Sequence, residues 1–199
     1  MPLIKSISGI RGTIGGRPDE GLTPLDVVRF TSAFATMMKA RTGGERLKVV
    51  VGRDARISGE MVRQLVCATL QGIGADVIDL GLSTTPTVEL AVPGENAHAG
   101  IILTASHNPK QWNALKLLNA KGEFISAEEG AEVLEIASQE DFEFADVDQL
   151  GDYRSDASWM QRHIDAVCEL ELVDTEAIRK AGFSVAVDAV NSSGGIFVP

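Results

Sequence analysis

Short apolar runs alternate with helical patterns along the first two thirds of the chain. Apolar side chains recur at helical spacing over 23–38 and again over 58–70. Three strand-like runs lie around them, namely Lys48–Val51, Ala75–Leu80 and Ala99–Leu103. Strands that are apolar throughout are typical of a sheet covered on both faces. The sequence therefore predicts a three-layer α/β/α fold with a mixed, mainly parallel sheet.

One strand is expected to run against the others. Ala114–Leu118 follows Ala99–Leu103 too closely for a crossover helix, so we predict that it is antiparallel. A further short helix is expected near 86–91, and Ser126 begins a helix that runs to about Ser138.

The last quarter of the chain has a different composition. Residues 140–148 hold five acids and no base, which predicts a solvated connector. A helical pattern follows over 159–170, then an apolar strand over Phe183–Val190 and a glycine-rich turn over 191–195. We predict one domain over 1–145, and over 146–199 a connector with the incomplete start of a second, similar domain.

Charge and composition exclude several kinds of partner. The 199-residue chain has a net charge of −10, which argues against nucleic acid. It has no run of about eighteen apolar residues, so no membrane span is expected, and its start has no signal pattern. Cys67 and Cys168 are predicted to be buried free thiols in a reducing, cytoplasmic setting. A small anionic substrate is compatible with this charge, because the candidate loops carry Arg11, Arg53, Arg56, Lys110 and Lys116.

The segment Thr104-Ala-Ser-His-Asn-Pro109 carries the chemistry. It follows a predicted buried strand, and Pro109 requires a turn there. Sites in α/β sheets lie at the carboxyl ends of strands, so this turn would present Ser106, His107 and Asn108. A plain polar loop is the alternative. Adjacent side chains in an extended segment diverge, which disfavours a conventional Ser–His nucleophile pair. His98 and His163 have no motif around them and are interpreted as structural.

The six-residue segment resembles the phosphoserine loop of the α-D-phosphohexomutases. Three further segments fit that family in the right order, and the match covers essentially the whole chain. They are the arginine loop Gly9–Gly12, the second-strand loop Gly52–Gly59 and the lysine segment Asn113–Lys116.

This resemblance implies roles for individual residues. Ser106 would be the phosphorylated residue, His107 and Lys116 would take part in proton transfer or charge stabilisation, and Arg11 would contact phosphate. Asn108, Arg53 and Lys110 would bind substrate or phosphate, although an Arg53–Asp54 ion pair that orders the loop is the structural alternative for Arg53. Ser106 would also give Mg²⁺ one ligand through its phosphate.

The same resemblance implies a reaction. A hexose 1-phosphate and a hexose 6-phosphate would be interconverted through a bisphosphorylated sugar, with hexose 1,6-bisphosphate as intermediate and activator. The other Mg²⁺ ligands and the sugar-specificity loops would lie in later domains, so residues 1–199 alone are expected to be inactive. Alternatives are the phosphoglucosamine mutase branch specifically, a phosphosugar-binding module without catalysis, and a serine hydrolase using Ser106 and His107. Ala114, and Ser6–Ser8 before the arginine loop, depart from patterns frequent in the family.

Overall fold

One mixed sheet of seven strands organises the protein. The computed structural model describes residues 3–6 and 9–199. The strands are β1 Ile4–Ser6, β2 Gly9–Thr13, β3 Lys48–Arg53, β4 Asp76–Leu82, β5 Ala99–Leu103, β6 Trp112–Leu118 and β7 Tyr153–Ser155. Their order is β1-β2-β6-β5-β3-β4-β7. β3 pairs in parallel with β4 and β5, whereas β6 is antiparallel to β5, as predicted.

Helices cover both faces of this sheet, which confirms the predicted layered α/β fold. The helices of the described residues are α1 Pro24–Lys39, α2 Gly59–Gly72, α3 Thr85–Gly94, α4 Ala127–Gln139, α5 Trp159–Cys168, α6 Thr175–Ala181 and α7 Gly194–Phe197, with a 3₁₀ turn at Val147–Gln149, and α6 and α7 contribute nothing to the buried core. α1, α2 and α4 share an apolar core that includes Phe30, Phe34 and Leu115. On the opposite face α3 and Trp159 of α5 cover Val50 and Ile102.

Side-chain caps define the starts of two helices. Thr23 caps α1 and exchanges hydrogen bonds with Asp26, and Ser126 does the same with Glu129 at α4. Each arrangement satisfies amide groups that the first helical turn leaves unpaired. These caps fix where α1 and α4 begin and so where their apolar faces meet the sheet.

The acidic connector returns to the first sheet. After it, β7 pairs in parallel with β4, and the Tyr153 hydroxyl donates to the carboxylate of buried Asp79 at 2.6 Å. Arg63 of α2 donates to the same carboxylate. The domain boundary between 145 and 146 stays a prediction, but residues beyond it contribute a strand and Trp159 to the folded unit.

The predicted strand over Phe183–Val190 is absent from the described structure, and the prediction was wrong. Its large apolar side chains are exposed, for example Val185 at 78%. A strand is held by hydrogen bonds to a neighbouring strand. Within residues 3–6 and 9–199, no strand pairs with this segment.

Both cysteines are free, as predicted, but their surroundings differ. Cys67 is buried in α2, and desolvation raises the pKa of its thiol to about 12. Cys168, at the end of α5, is exposed, which corrects the expectation that both are buried.

None of the helices in the described part of the chain combines the length and apolarity that a membrane crossing requires.

Candidate active site

Two of the predicted loops meet at the carboxyl edge of the sheet. β3 and β5 end side by side, with Arg53 opposite Leu103, and the Asp54 amide donates to the Leu103 carbonyl at 3.1 Å. The loops that follow enclose a cleft of about 490 Å³. Its lining residues are Asp54, Ala55, Arg56, Ile57, Ser106, His107, Asn108, Lys110, Val190, Asn191 and Ser192. The glycine-rich turn near 191 thus forms a third wall of the cleft.

Ser106 stands in an unusual backbone conformation at this edge. Its φ is +54°, in the left-handed region, which costs an ordinary L-residue about 1–2 kcal/mol. Its amide donates to the Thr104 hydroxyl at 3.1 Å, and the Asn108 amide donates to the Ala105 carbonyl at 3.0 Å. The loop's own hydrogen bonds therefore support the strained residue, and the side chain of Ser106 is exposed.

The conformation of Ser106 brings its hydroxyl near His107. Its Oγ lies 3.4 Å from Nδ1 of His107, a long hydrogen-bond contact. The expectation that the two side chains diverge assumed an extended segment, and Ser106 is not extended. His107 therefore lies where it can exchange a proton with a group bound at Ser106.

Arg11 and Lys116 lie on the sheet rather than in the loop cleft. Arg11 is an exposed residue of β2 opposite Ala114, so Gly9–Gly12 belongs to a strand, although a loop was expected. Lys116 lies two residues beyond Ala114 on β6 and therefore shares its face with Arg11. Cross-strand neighbours offset by two residues have backbones about 7–8 Å apart, so both residues stand on one face of two adjacent strands, and we call this pair the basic patch. The Lys116 ammonium also lies 5.6 Å from the centre of the Phe124 ring.

Arg53 and Arg56 have different surroundings. Arg53 donates to the Asp54 carbonyl at 3.1 Å and to Glu60 of α2 at 3.1 Å, which turns it towards that helix. The Asp54 carboxylate is paired with Arg56 at 3.1 Å. The ion pair that orders this loop thus uses Arg56, where the sequence suggested Arg53.

Lys110 and Asn108 line the cleft beside Ser106. Lys110 is exposed, and Asn108 is half-buried with its carbonyl bonded to Arg56 at 2.9 Å. An exposed ammonium group beside a hydroxyl can attract a phosphate group by charge.

The described residues hold no ready-made metal centre. Among them, no group of three or more His, Cys, Asp or Glu side chains is placed to bind an ion. The Asp54 carboxylate already accepts hydrogen bonds from the Arg56 amide, the Arg56 Nε and the Thr104 hydroxyl.

Sequence reasoning missed several contributors to the site. Thr104 and Asp54 bridge the two loops, and the Asn113 amide reaches the Ser58 hydroxyl at 3.0 Å, which joins β6 to the start of α2. These residues lie inside the motifs identified in the sequence, so their place near the site could be predicted. Their hydrogen-bond partners are distant in sequence and could not be predicted.

Comparisons with known proteins agree with this architecture. Residues 3–144 match the family described as phosphoglucomutase/phosphomannomutase, alpha/beta/alpha domain I. A phosphoglucomutase/phosphomannomutase of Thermococcus kodakarensis is 39% identical over 190 residues, covering 94% of this chain and 41% of that protein. A phosphoglucosamine/phosphogalactosamine mutase of Sulfurisphaera tokodaii is 29% identical, covering 96% of this chain and 40% of the relative. A solved phosphoglucomutase/phosphomannomutase family protein from Burkholderia thailandensis is 25% identical, with a TM-score of 0.69, covering 83% of this chain and 36% of that one.

The chain belongs to the phosphoglucomutase/phosphomannomutase family, of which it carries domain I. It spans about two fifths of the length of these relatives. The names of these relatives cover different sugars, so family membership does not identify the sugar.

Proposed function

We propose that this chain supplies the phosphoserine-bearing part of a phosphohexomutase, which interconverts a hexose 1-phosphate and a hexose 6-phosphate. The observation that carries the proposal is the exposed Ser106 hydroxyl, held at the sheet edge beside His107 and Lys110. Family membership supports the reaction class. The phosphoglucosamine mutase branch remains one version of this proposal.

The reaction transfers one phosphoryl group in each direction. The bond between phosphorus and Ser106 Oγ breaks and this oxygen takes up a proton, while a free sugar hydroxyl bonds to the phosphorus and loses its proton to a base. The bisphosphorylated sugar then reorients. Its other phosphoryl group moves to Ser106 Oγ, which loses its proton, and the sugar oxygen that it leaves is protonated. His107 is suited to the proton transfers because its Nδ1 lies 3.4 Å from the Ser106 Oγ and an imidazole can both accept and donate a proton.

The positive groups would stabilise charge during transfer. Lys110 lies in the cleft, and the basic patch of Arg11 and Lys116 lies on the neighbouring sheet face. A guanidinium group can bind phosphate with two parallel hydrogen bonds, and an ammonium group acts as a point charge. In this proposal Asn108 and Arg53 contribute to substrate or phosphate binding, and Arg53 would have to turn from Glu60 to do so.

Magnesium fits this site only in part. The described residues offer Ser106, through its phosphate, as one attachment point, so other ligands would come from parts of a longer chain. Mg²⁺ would offset charge on the phosphoryl group. Those further domains would also carry the sugar-contacting loops, and residues 1–199 alone would lack mutase turnover. The free Cys67 and Cys168 support a reducing, cytoplasmic setting.

Phosphate mapping tests the proposal. The full-length protein is incubated with glucose 1,6-bisphosphate and analysed by intact-mass and peptide mass spectrometry. We expect one phosphate on Ser106, none on the Ser106→Ala variant, and unchanged labelling of Ser192→Ala, which alters another serine of the same cleft.

Each other outcome rejects part of the proposal. Phosphate on a different serine would remove Ser106 from the mechanism. Phosphosugar binding without phosphorylation or turnover would favour a binding module. Labelling of Ser106 by an organophosphorus ester would indicate hydrolase chemistry.

A further inference from the structure

Arg56 uses all of its guanidinium donors within the protein. Its Nε donates to Asp54 at 3.1 Å, and its Nη1 donates to the carbonyls of Pro109 and Trp112, each at 3.0 Å. Its Nη2 donates to the carbonyls of Ser106 at 2.7 Å and Asn108 at 2.9 Å. A guanidinium carries five N–H groups, so all five are occupied. Its side chain is only 10% exposed.

Four of these five acceptors are backbone carbonyls of the loop that carries Ser106. They are spread over residues 106–112, so a single side chain fixes both the start and the end of the loop. Because the fifth acceptor is the Asp54 carboxylate, the loop is anchored to the end of β3.

Asp54 fixes the same loop by a second route. It accepts a hydrogen bond from the Thr104 hydroxyl at 2.7 Å, and that hydroxyl accepts one from the Ser106 amide at 3.1 Å. The Ser106 amide and carbonyl are therefore both connected to the Arg56–Asp54 pair. These are the two backbone groups that flank its left-handed conformation.

We propose that Arg56, together with Asp54, is a positioning residue that holds the Ser106 backbone in its left-handed conformation and does not itself bind the substrate's phosphate. Its charge faces a carboxylate and four carbonyl dipoles, and no N–H group is left for a ligand. The cationic contacts to phosphate then fall to Lys110, to Arg53 and to the basic patch of Arg11 and Lys116. The effect on phosphoryl transfer rests on the proposed function, whereas the effect on the loop does not.

The substitution Arg56→Lys gives the sharpest test in the full-length protein. A lysine keeps the charge but has one nitrogen, which cannot reach four carbonyls. Arg63→Lys is the matched control, because Arg63 is a similarly covered arginine of α2 that binds Glu60 and Asp79.

Hydrogen exchange of the peptide spanning 104–112 measures how well the loop is ordered, and this measurement does not depend on enzyme activity. We expect exchange of this peptide to rise about tenfold in Arg56→Lys, while peptides from β3 and β5 stay protected as in the wild type. Arg63→Lys should leave the 104–112 peptide unchanged. Should Arg56→Lys fail to fold, Asp54→Asn tests the same pair and should loosen the same peptide.

Kinetics separate positioning from phosphate binding. A misplaced nucleophile costs about a hundredfold in rate, so kcat and the rate of Ser106 phosphorylation should fall by about that factor while KM stays nearly constant. Added guanidinium ion should restore part of the rate in Arg56→Ala, and methylammonium should not.

Three results would overturn the inference. Unchanged exchange of the 104–112 peptide in Arg56→Lys would show that the loop does not depend on Arg56. A large rise in KM with unchanged kcat would make Arg56 a substrate ligand. A wild-type rate retained by Arg56→Lys would leave it no role in transfer. If the wild-type protein transfers no phosphoryl group, the proposed function fails, and the exchange result alone decides whether Arg56 orders the loop.

Discussion

Two apolar segments of this chain differ in structure and in burial. Ala99–Leu103 forms β5, in which every residue is buried. Phe183–Val190 has a comparably apolar sequence but forms no strand, and Phe183 is 74% exposed. Local composition alone therefore does not decide which segment becomes a strand.

Neighbours explain the difference. β5 lies between β3 and β6, so both of its edges are hydrogen-bonded, and Ile101 and Ile102 enter the apolar clusters on opposite faces. For Phe183–Val190, the described residues supply neither a paired strand nor a covering helix. An apolar run becomes a buried strand only when other elements complete both its hydrogen bonds and its packing.

Truncating one side chain in each segment should give the largest contrast. Ile101→Ala removes a fully buried side chain and should lower the free energy of unfolding by about 2–5 kcal/mol. Val185→Ala removes an exposed one and should change it by less than about 0.5 kcal/mol. Urea unfolding followed by circular dichroism measures both. Equal losses would mean that Phe183–Val190 is packed in solution.

Two glycines with positive φ extend the comparison to backbone strain. A Cβ at Gly122 would lie 2.0 Å from the Glu89 carbonyl oxygen of α3, whereas at Gly182 it would meet nothing within 4 Å. Gly122→Ala should therefore cost about 3 kcal/mol, from overpacking added to left-handed strain. Gly182→Ala should cost about 1 kcal/mol, from strain alone. Thermal unfolding of both variants checks the order, and an unmoved midpoint for Gly182→Ala would mean that α6 unfolds separately from the sheet.

The same contrast explains how much of the fold could be predicted from the sequence. β3, β4, β5 and β6 were predicted because each is a short, largely apolar run, although β4 also contains two aspartates and β6 an asparagine and a lysine. β2 contains two glycines and an exposed arginine, so its pattern resembled a loop. β7 consists of three exposed residues, and the Tyr153 hydroxyl of this strand donates a hydrogen bond to the buried Asp79. No periodicity in the sequence predicts such a short, exposed strand.

The candidate site shows the same limit. Motif resemblance pointed to Ser106 and its neighbours, and the parallel strands explain why their loops meet. Four of the five hydrogen bonds of Arg56 go to carbonyls that lie 50 to 56 residues away along the chain, and one of them is the carbonyl of the left-handed Ser106. The positions of these carbonyls are set by the tertiary structure. The sequence therefore identified Arg56 as a candidate cation of the site, but it did not indicate that Arg56 would bond to the loop.

The smallest expected effects on stability concern two ion pairs, one in α2 and one in α6. Glu60 pairs with Arg63 in α2, and that guanidinium lowers the pKa of the Glu60 carboxyl to about 2 from an ordinary 4.5. A carboxyl with a lowered folded-state pKa stabilises the protein above its ordinary pKa, and this contribution is lost as the pH falls from about 4.5 towards 2. Because Glu60 is half-exposed and screened, Glu60→Gln should cost at most about 1 kcal/mol at pH 7.

The pH dependence makes that small effect testable. The difference in free energy of unfolding between wild type and Glu60→Gln should shrink between pH 5 and about pH 2, because protonation removes the pair from the wild type as well. The matched control is Glu176→Gln, which breaks the exposed Glu176–Lys180 pair of α6 and should cost about 0.3 kcal/mol at most. Urea titrations at a series of pH values measure both variants. The first region is expected to hold its ion pairs within a fixed fold, and the second to expose them to solvent. A difference for Glu60→Gln that stays constant down to pH 2 would contradict the role of the Glu60–Arg63 pair. A larger cost for Glu176→Gln than for Glu60→Gln would reverse the ranking of the two regions.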